Sequence, residues 1–136
     1  LSNHTLYYYP CGDYYATGLD NWMLLVYPDD NKGDILQFDI MTAKDSDNPY
    51  GTYTVGDSST ASSFLKGVMT LYEGENYMEG SWYYTSDYAD IAPLVGGSLT
   101  ISDEGYGVAT LSFYMEDDRG NGIKGSWSGF MELYPY

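Results

Sequence analysis

Aromatic rings and carboxylates are the side chains of this sequence that could do chemistry. There are 17 Tyr and three Trp, and 20 Asp and Glu stand against five Lys and Arg. A flat π face stacks on the C–H face of a sugar ring while neighbouring carboxylates and amides bond its hydroxyls. This combination therefore points first to glycan capture. Trp22, Trp82 and Trp127 are the largest platforms. Trp82 and Trp127 fall on the apolar parity of their strands and read as core. Trp22 remains a ligand-binding candidate, with Tyr14, Tyr15, Tyr83 and Tyr88, which fall outward or in loops.

Hydrolysis of a glycan would need two carboxylates across a cleft, one with a raised pKa. Glu73, Glu75, Glu79, Glu104, Glu116 and Glu132 are available, but nothing in the sequence brings two of them together. No catalytic residue is assigned, and the chain is not expected to be an enzyme. The acids of the turns (Asp29, Asp30, Asp34, Asp45, Asp47, Asp117, Asp118) do not follow the spacing of a calcium loop and read as solvated turn residues. One His and one Cys are too few for a structural zinc site. Nucleophilic triads would have to use His4, which reads as an incidental residue near the start of the chain. Cys11 reads as structural. No metal and no cofactor is expected.

A net charge of -15 repels phosphates and anionic membrane surfaces, so nucleic acid is excluded as a partner. A glycan or a surface protein is the expected partner. No segment approaches the roughly 20 apolar residues of a membrane span. Leu1-Ser2-Asn3-His4 shows neither the basic region nor the apolar block of a targeting peptide.

The elements that must position these side chains are strands. No window sustains a helical apolar period, and Tyr, Thr, Val, Gly and Ser suit strands and turns. Leu99 and Ile101, then Ala109, Leu111, Phe113 and Met115, then Ile123, Trp127, Met131 and Leu133 alternate with polar neighbours, which predicts a three-stranded meander with one wet face. Residues 22–27 are apolar on both faces and read as a central strand. Leu36, Phe38 and Ile40 point inward, with Gln37 and Asp39 outward. Tyr53 and Val55 point inward from a short strand. Residues 76–84 form a strand with Met78, Trp82 and Tyr84 on one face, and residues 85–95, with Pro93, form a long loop. The opening strands fall at 6–9 and 13–17, and 64–71 is a weaker strand. Gly80-Ser81-Trp82 and Gly125-Ser126-Trp127 lie inside strands and read as corners of a curved sheet. Eight to ten short strands at this spacing predict one all-β domain over residues 1–136, an antiparallel sandwich or flattened barrel with mainly hairpin connections. The alternative is a closed lipocalin-like barrel, which has no sheet edge.

The segments Asn48-Pro49-Tyr50-Gly51-Thr52-Tyr53-Thr54-Val55 and Gly80-Ser81-Trp82-Tyr83-Tyr84, and the closing run from Asp117 through Ile123-Lys124-Gly125-Ser126-Trp127 to Gly129, resemble a group of secreted lipoprotein-type β domains of gut Bacteroidales. Gly12-Asp13-Tyr14-Tyr15, Asn21-Trp22-Met23-Leu24, Phe64-Leu65-Lys66-Gly67 and Gly97-Ser98-Leu99-Thr100-Ile101-Ser102 are similar to further segments of it. The resemblance implies an exported domain, at the cell surface, associated with the outer membrane or in the periplasm, with any lipid anchor on a precursor segment. It carries no catalytic residues over. The expected function is thus a non-catalytic surface module that binds a glycan or a protein. A lipocalin-like carrier of a small apolar ligand is the alternative, and a carbohydrate-active enzyme the third reading.

Overall fold

The computed structural model describes residues 1–135, and among them there are twelve strands and no helix. They are β1 (His4–Gly12), β2 (Asp20–Pro28), β3 (Asp34–Thr42), β4 (Gly51–Gly56), β5 (Ser63–Leu65), β6 (Val68–Tyr72), β7 (Glu75–Glu79), β8 (Trp82–Thr85), β9 (Ile91–Gly105), β10 (Val108–Asp117), β11 (Gly122–Phe130) and β12 (Glu132–Leu133). The class is all-β, as the alternation predicts. Two short pairs, β4 with β5 and β1 with β12, are parallel; the other pairings are antiparallel.

One sheet runs in the order β11-β10-β9-β4-β5-β3-β2-β1-β12. β8 bridges β3 and β9 by a second route, so β3, β8, β9, β4 and β5 close a five-stranded barrel. β10 and β11 extend it on one side, and β2, β1 and β12 on the other. These wings curl toward each other, and the Trp127 Nε1–H donates to the His4 carbonyl at 2.8 Å. Leu6, Leu24, Phe38, Leu99, Leu111 and Trp127 fill the space between them as one core. The fold combines the barrel and the sandwich that the sequence leaves open.

β9 serves both β8 and β4 because it bends at Gly96–Gly97. Gly97 has φ +103°, and a Cβ there would overlap the Tyr114 carbonyl. The register against β10 shifts at the same place, as a bulge requires. β7 and β8 are separated at Gly80, whose positive φ turns the chain against the Lys66 carbonyl. This pinch isolates β6 and β7 as a two-stranded arm. Gly125 does something else: its missing side chain leaves room for the Phe113 ring of the paired strand. The two Gly-Ser-Trp copies are therefore one corner and one aromatic cover.

Several sequence expectations fail locally. Residues 13–17 form a loop, not a strand. β9 begins at Ile91, so the expected loop over 85–95 shortens; Pro93 is tolerated because its missing N–H costs nothing at a sheet edge. Val55 is exposed, lying beyond the last β4 residue that pairs with β9, although it still pairs with Phe64 of β5. Leu133 leaves the meander, pairs β1 and is exposed. Asp39 is buried, because elements distant in sequence cover its face of β3. Asp117 is buried as well, since its own turn wraps its carboxylate. No helix among the described residues is long and apolar enough to cross a membrane.

Candidate functional site

β2 is apolar on both faces, so its outer side needs cover that a sheet with one wet face does not. Register lines up the outward residues in rows: Tyr7, Leu25 and Gln37 in one, Tyr9, Met23 and Asp39 in the next. Two clefts lie over these rows, of about 260 and 330 Å³. Met23 and Gln37 line both, so the clefts form one trough across the outer face of β1, β2 and β3. Its lining includes Tyr7, Tyr9, Tyr14, Tyr15, Tyr84 and Tyr134, and no Lys or Arg.

The walls are built from distant segments. Tyr134 meets the Tyr7 ring edge-on at 6.0 Å between centroids, and its N–H donates to the Tyr8 carbonyl at 2.9 Å. Tyr84 stacks on Tyr88 at 5.4 Å with the rings 6° from parallel. Burial pushes the Tyr84 phenol up to about 12. At the other end the 13–18 loop presents Tyr14 and Tyr15 edge-to-face at 4.9 Å. Asp13 holds that loop by accepting the N–H groups of Thr17 at 2.9 Å and Gly18 at 3.1 Å. The Gln37 amide donates to the Gly80 carbonyl at 2.9 Å and fastens the corner between β7 and β8 to the trough floor.

The deep end is centred on Asp39, which is 3% exposed. Its carboxylate accepts from Asn21 Nδ2 at 2.5 Å and from the Tyr15 hydroxyl at 3.0 Å. Its backbone N–H donates to Ser81 Oγ at 3.0 Å. Burial holds the Asp39 carboxyl above its ordinary pKa; the Asn21 and Tyr15 bonds oppose this, and the negative charge of Glu79 adds to it. Burial, then the charge of Asp39, raises the Tyr15 phenol as well. The Cys11 thiol in the same cleft is raised for the same two reasons. A cleft of this kind can grip a ring between tyrosines and bond its polar groups at the Asp39 end.

The sequence candidates divide. Tyr14 and Tyr15 are in the trough, and Tyr88 buttresses its wall through Tyr84. Tyr83 lines a separate groove of about 650 Å³ with Ile91, Pro93, Asp90, Asp118 and Arg119. Its hydroxyl is already committed, donating to Asp34 Oδ1 at 2.8 Å. Trp22 is corrected: it lies in the core, and its indole N–H donates to Thr42 Oγ1 at 3.2 Å. An apolar stretch on both faces left its direction open, and the core of the two wings takes it. Sequence reasoning missed Tyr7, Tyr9, Met23, Gln37, Asp39 and Tyr84. The doubly apolar β2 was the one signal that its outer face would be covered.

The acidic turns act mainly on their own backbones. Asp117 accepts from the Arg119 N–H at 2.9 Å, the Asn121 N–H at 2.8 Å and Asn121 Nδ2 at 3.1 Å. Burial works against its charge, but these bonds and Arg119 outweigh it and hold the carboxyl below its usual range. No group of three or more His, Cys, Asp and Glu able to hold a metal occurs among the described residues. Comparison with protein-family models, curated proteins and solved structures found no match for the chain.

Proposed function

We propose that the chain is a non-catalytic module of an exported protein, at the cell surface or in the periplasm, which binds a glycan along the outer face of β1, β2 and β3. The observation that carries this reading is the continuity of the tyrosine-lined trough through Met23 and Gln37. Sugar rings need flat apolar faces beside hydrogen-bonding groups, and the trough supplies both. Leu36, Phe38, Leu111 and Phe113 pack in the common core, which supports an outside ligand over an apolar one carried in the barrel. A glycan array with and without calcium tests the reading. Binding in both conditions is expected; binding in neither, or only with calcium, would contradict it. The accompanying assay for new reducing ends is expected to stay blank.

The arm of β6 and β7 favours contact with a surface protein as a second reading. It exposes Val68, Met69, Leu71 and Tyr72 around a two-stranded sheet with free edges.

A further inference from the structure

The arm of β6 and β7 has two unlike edges. β7 carries Glu75 and Glu79, one at each end, whereas β6 reads Val68-Met69-Thr70-Leu71-Tyr72, without charge, Pro or Gly. The pairing runs without a bulge from Tyr72 and Glu75 to Val68 and Glu79, and β6 has no strand on its other side among the described residues. Proteins blunt such an edge with Lys, Pro, a bulge or a covering segment. β6 has none of these, and Leu71 is 70% exposed. The turn fixes which backbone groups the edge offers. Glu73 at φ +49° and Gly74 at φ +82° make a two-residue hairpin turn. Tyr72 and Glu75 therefore exchange both backbone bonds, as do Thr70 with Tyr77 and Val68 with Glu79. The N–H and C=O of Met69 and Leu71 point away from β7, along the open edge.

We propose that β6 pairs antiparallel with β6 of a second copy of this chain, about a two-fold axis at Thr70. The inference rests on the reading of the arm as a protein contact and is independent of the glycan site. That register sets Met69 against Leu71 of the second copy, and Leu71 against its Met69, so the outward backbone groups match. Val68 stands opposite Tyr72 of the second copy and Thr70 opposite its Thr70, pairs that favour a sheet. Lys66, before β6, comes beside the turn of the second copy that holds Glu73, so opposite charges meet at both ends. The groove of about 650 Å³ beside Gly67 and Met69 leaves room for that turn, and its Ile91 and Pro93 offer an apolar wall to Leu71 of the second copy. The net charge of -15 opposes self-association. However, the two β7 strands with Glu75 and Glu79 would lie three strand spacings apart, about 14 Å, beyond the screening length of about 8 Å in physiological salt. The contact uses up both uncharged edges and leaves β7 outermost, so assembly closes at a dimer.

The test is sedimentation velocity of the whole chain from about 10 μM to about 1 mM, in about 0.15 M salt. A monomer–dimer midpoint below about 1 mM is expected, since one strand pair makes a small interface. Amide exchange at Met69 and Leu71 should slow as the dimer fills. L71P removes an N–H that donates only to the second copy and should raise the midpoint at least about tenfold. N76P is the matching change on β7, where the N–H also points away from the arm, and should shift the midpoint less than about twofold. If amide exchange shows that L71P unfolds the arm, L71K takes its place with the same expectation, since it sets a charge on the edge. A monomer at every concentration, or assembly beyond a dimer, would overturn the second copy as the partner and leave the arm to another protein. A dimer weakened at least as much by N76P as by L71P would overturn the pairing through β6 and move the contact to β7. A dimer that L71P, L71K and N76P all leave unchanged would overturn the arm as a contact surface as well.

Discussion

β1, β2 and β3 on one side and β9, β10 and β11 on the other bury the same kind of inner face: Leu6, Leu24 and Phe38 meet Leu99, Leu111 and Trp127. Their outer faces differ. On β4, β9, β10 and β11 the outward row Thr52, Thr100, Ser112 and Ser126 is hydroxylic, and the Thr52 and Thr100 hydroxyls are 2.9 Å apart. On β1, β2 and β3 the outward rows hold Tyr7, Leu25, Met23 and a buried acid. A wet outer face is enough for a folded sheet, as β10 shows. The apolar outer face of β2 is thus a feature that folding alone does not require, and the trough is what it makes.

Changes to the inner face should have the largest effect. Phe38→Ala should cost about 3–5 kcal/mol in denaturant unfolding, since Phe38 is fully buried and packs on Phe113 at 5.6 Å. A loss below about 1 kcal/mol would mean that the wings do not share one core. Gly80→Ala comes next. Its positive φ and the overlap of a Cβ with the Lys66 carbonyl should cost at least about 1–3 kcal/mol and speed hydrogen exchange of β6 and β7 before that of β10.

Asp39→Asn should change how stability depends on pH. Because the folded-state pKa lies above the ordinary 3.8, the protonated acid favours the fold, and its contribution is full below that ordinary value. It is lost as pH rises through the folded value. The melting temperature of the variant relative to the parent should therefore rise from about pH 4 to pH 7. A difference independent of pH would show that Asp39 keeps its ordinary titration. Ser112→Ala marks the small end of the scale: on the hydroxylic face it should shift stability by no more than about 0.5 kcal/mol.

Much of the fold is legible where neighbours in sequence are neighbours in the sheet. The alternation over β9, β10 and β11 assigns Leu99, Ile101, Ala109, Leu111, Phe113 and Met115 to the inside, where they are buried, because each hairpin keeps the period of its strands. Features that depend on remote chain are not legible. Asp39 has the parity of a solvent-facing acid, and only the Tyr15 loop and the Ser81 corner, brought from far along the chain, make it buried. The parallel pairing of β4 and β5 across the short 57–62 connection has no sequence period to announce it. Of the binding candidates, Tyr14 and Tyr15 were legible as surface aromatics, although the loop that carries them reads as a strand in the sequence. Tyr7 and Tyr9 were not, since both faces of β1 are tyrosine-rich and parity cannot choose between them.

The most direct measurement compares glycan binding by two double variants of equal fold integrity, Y7A/Y14A in the trough and S98A/S112A on the opposite outer face. The trough variant should lose at least about fivefold in affinity, with the melting transition changed little, because two stacking faces of about 0.5–1.5 kcal/mol each are removed. The hydroxyl-face variant should bind as the parent does. Loss of binding in S98A/S112A with retention in Y7A/Y14A would contradict the account and move the site to the other face.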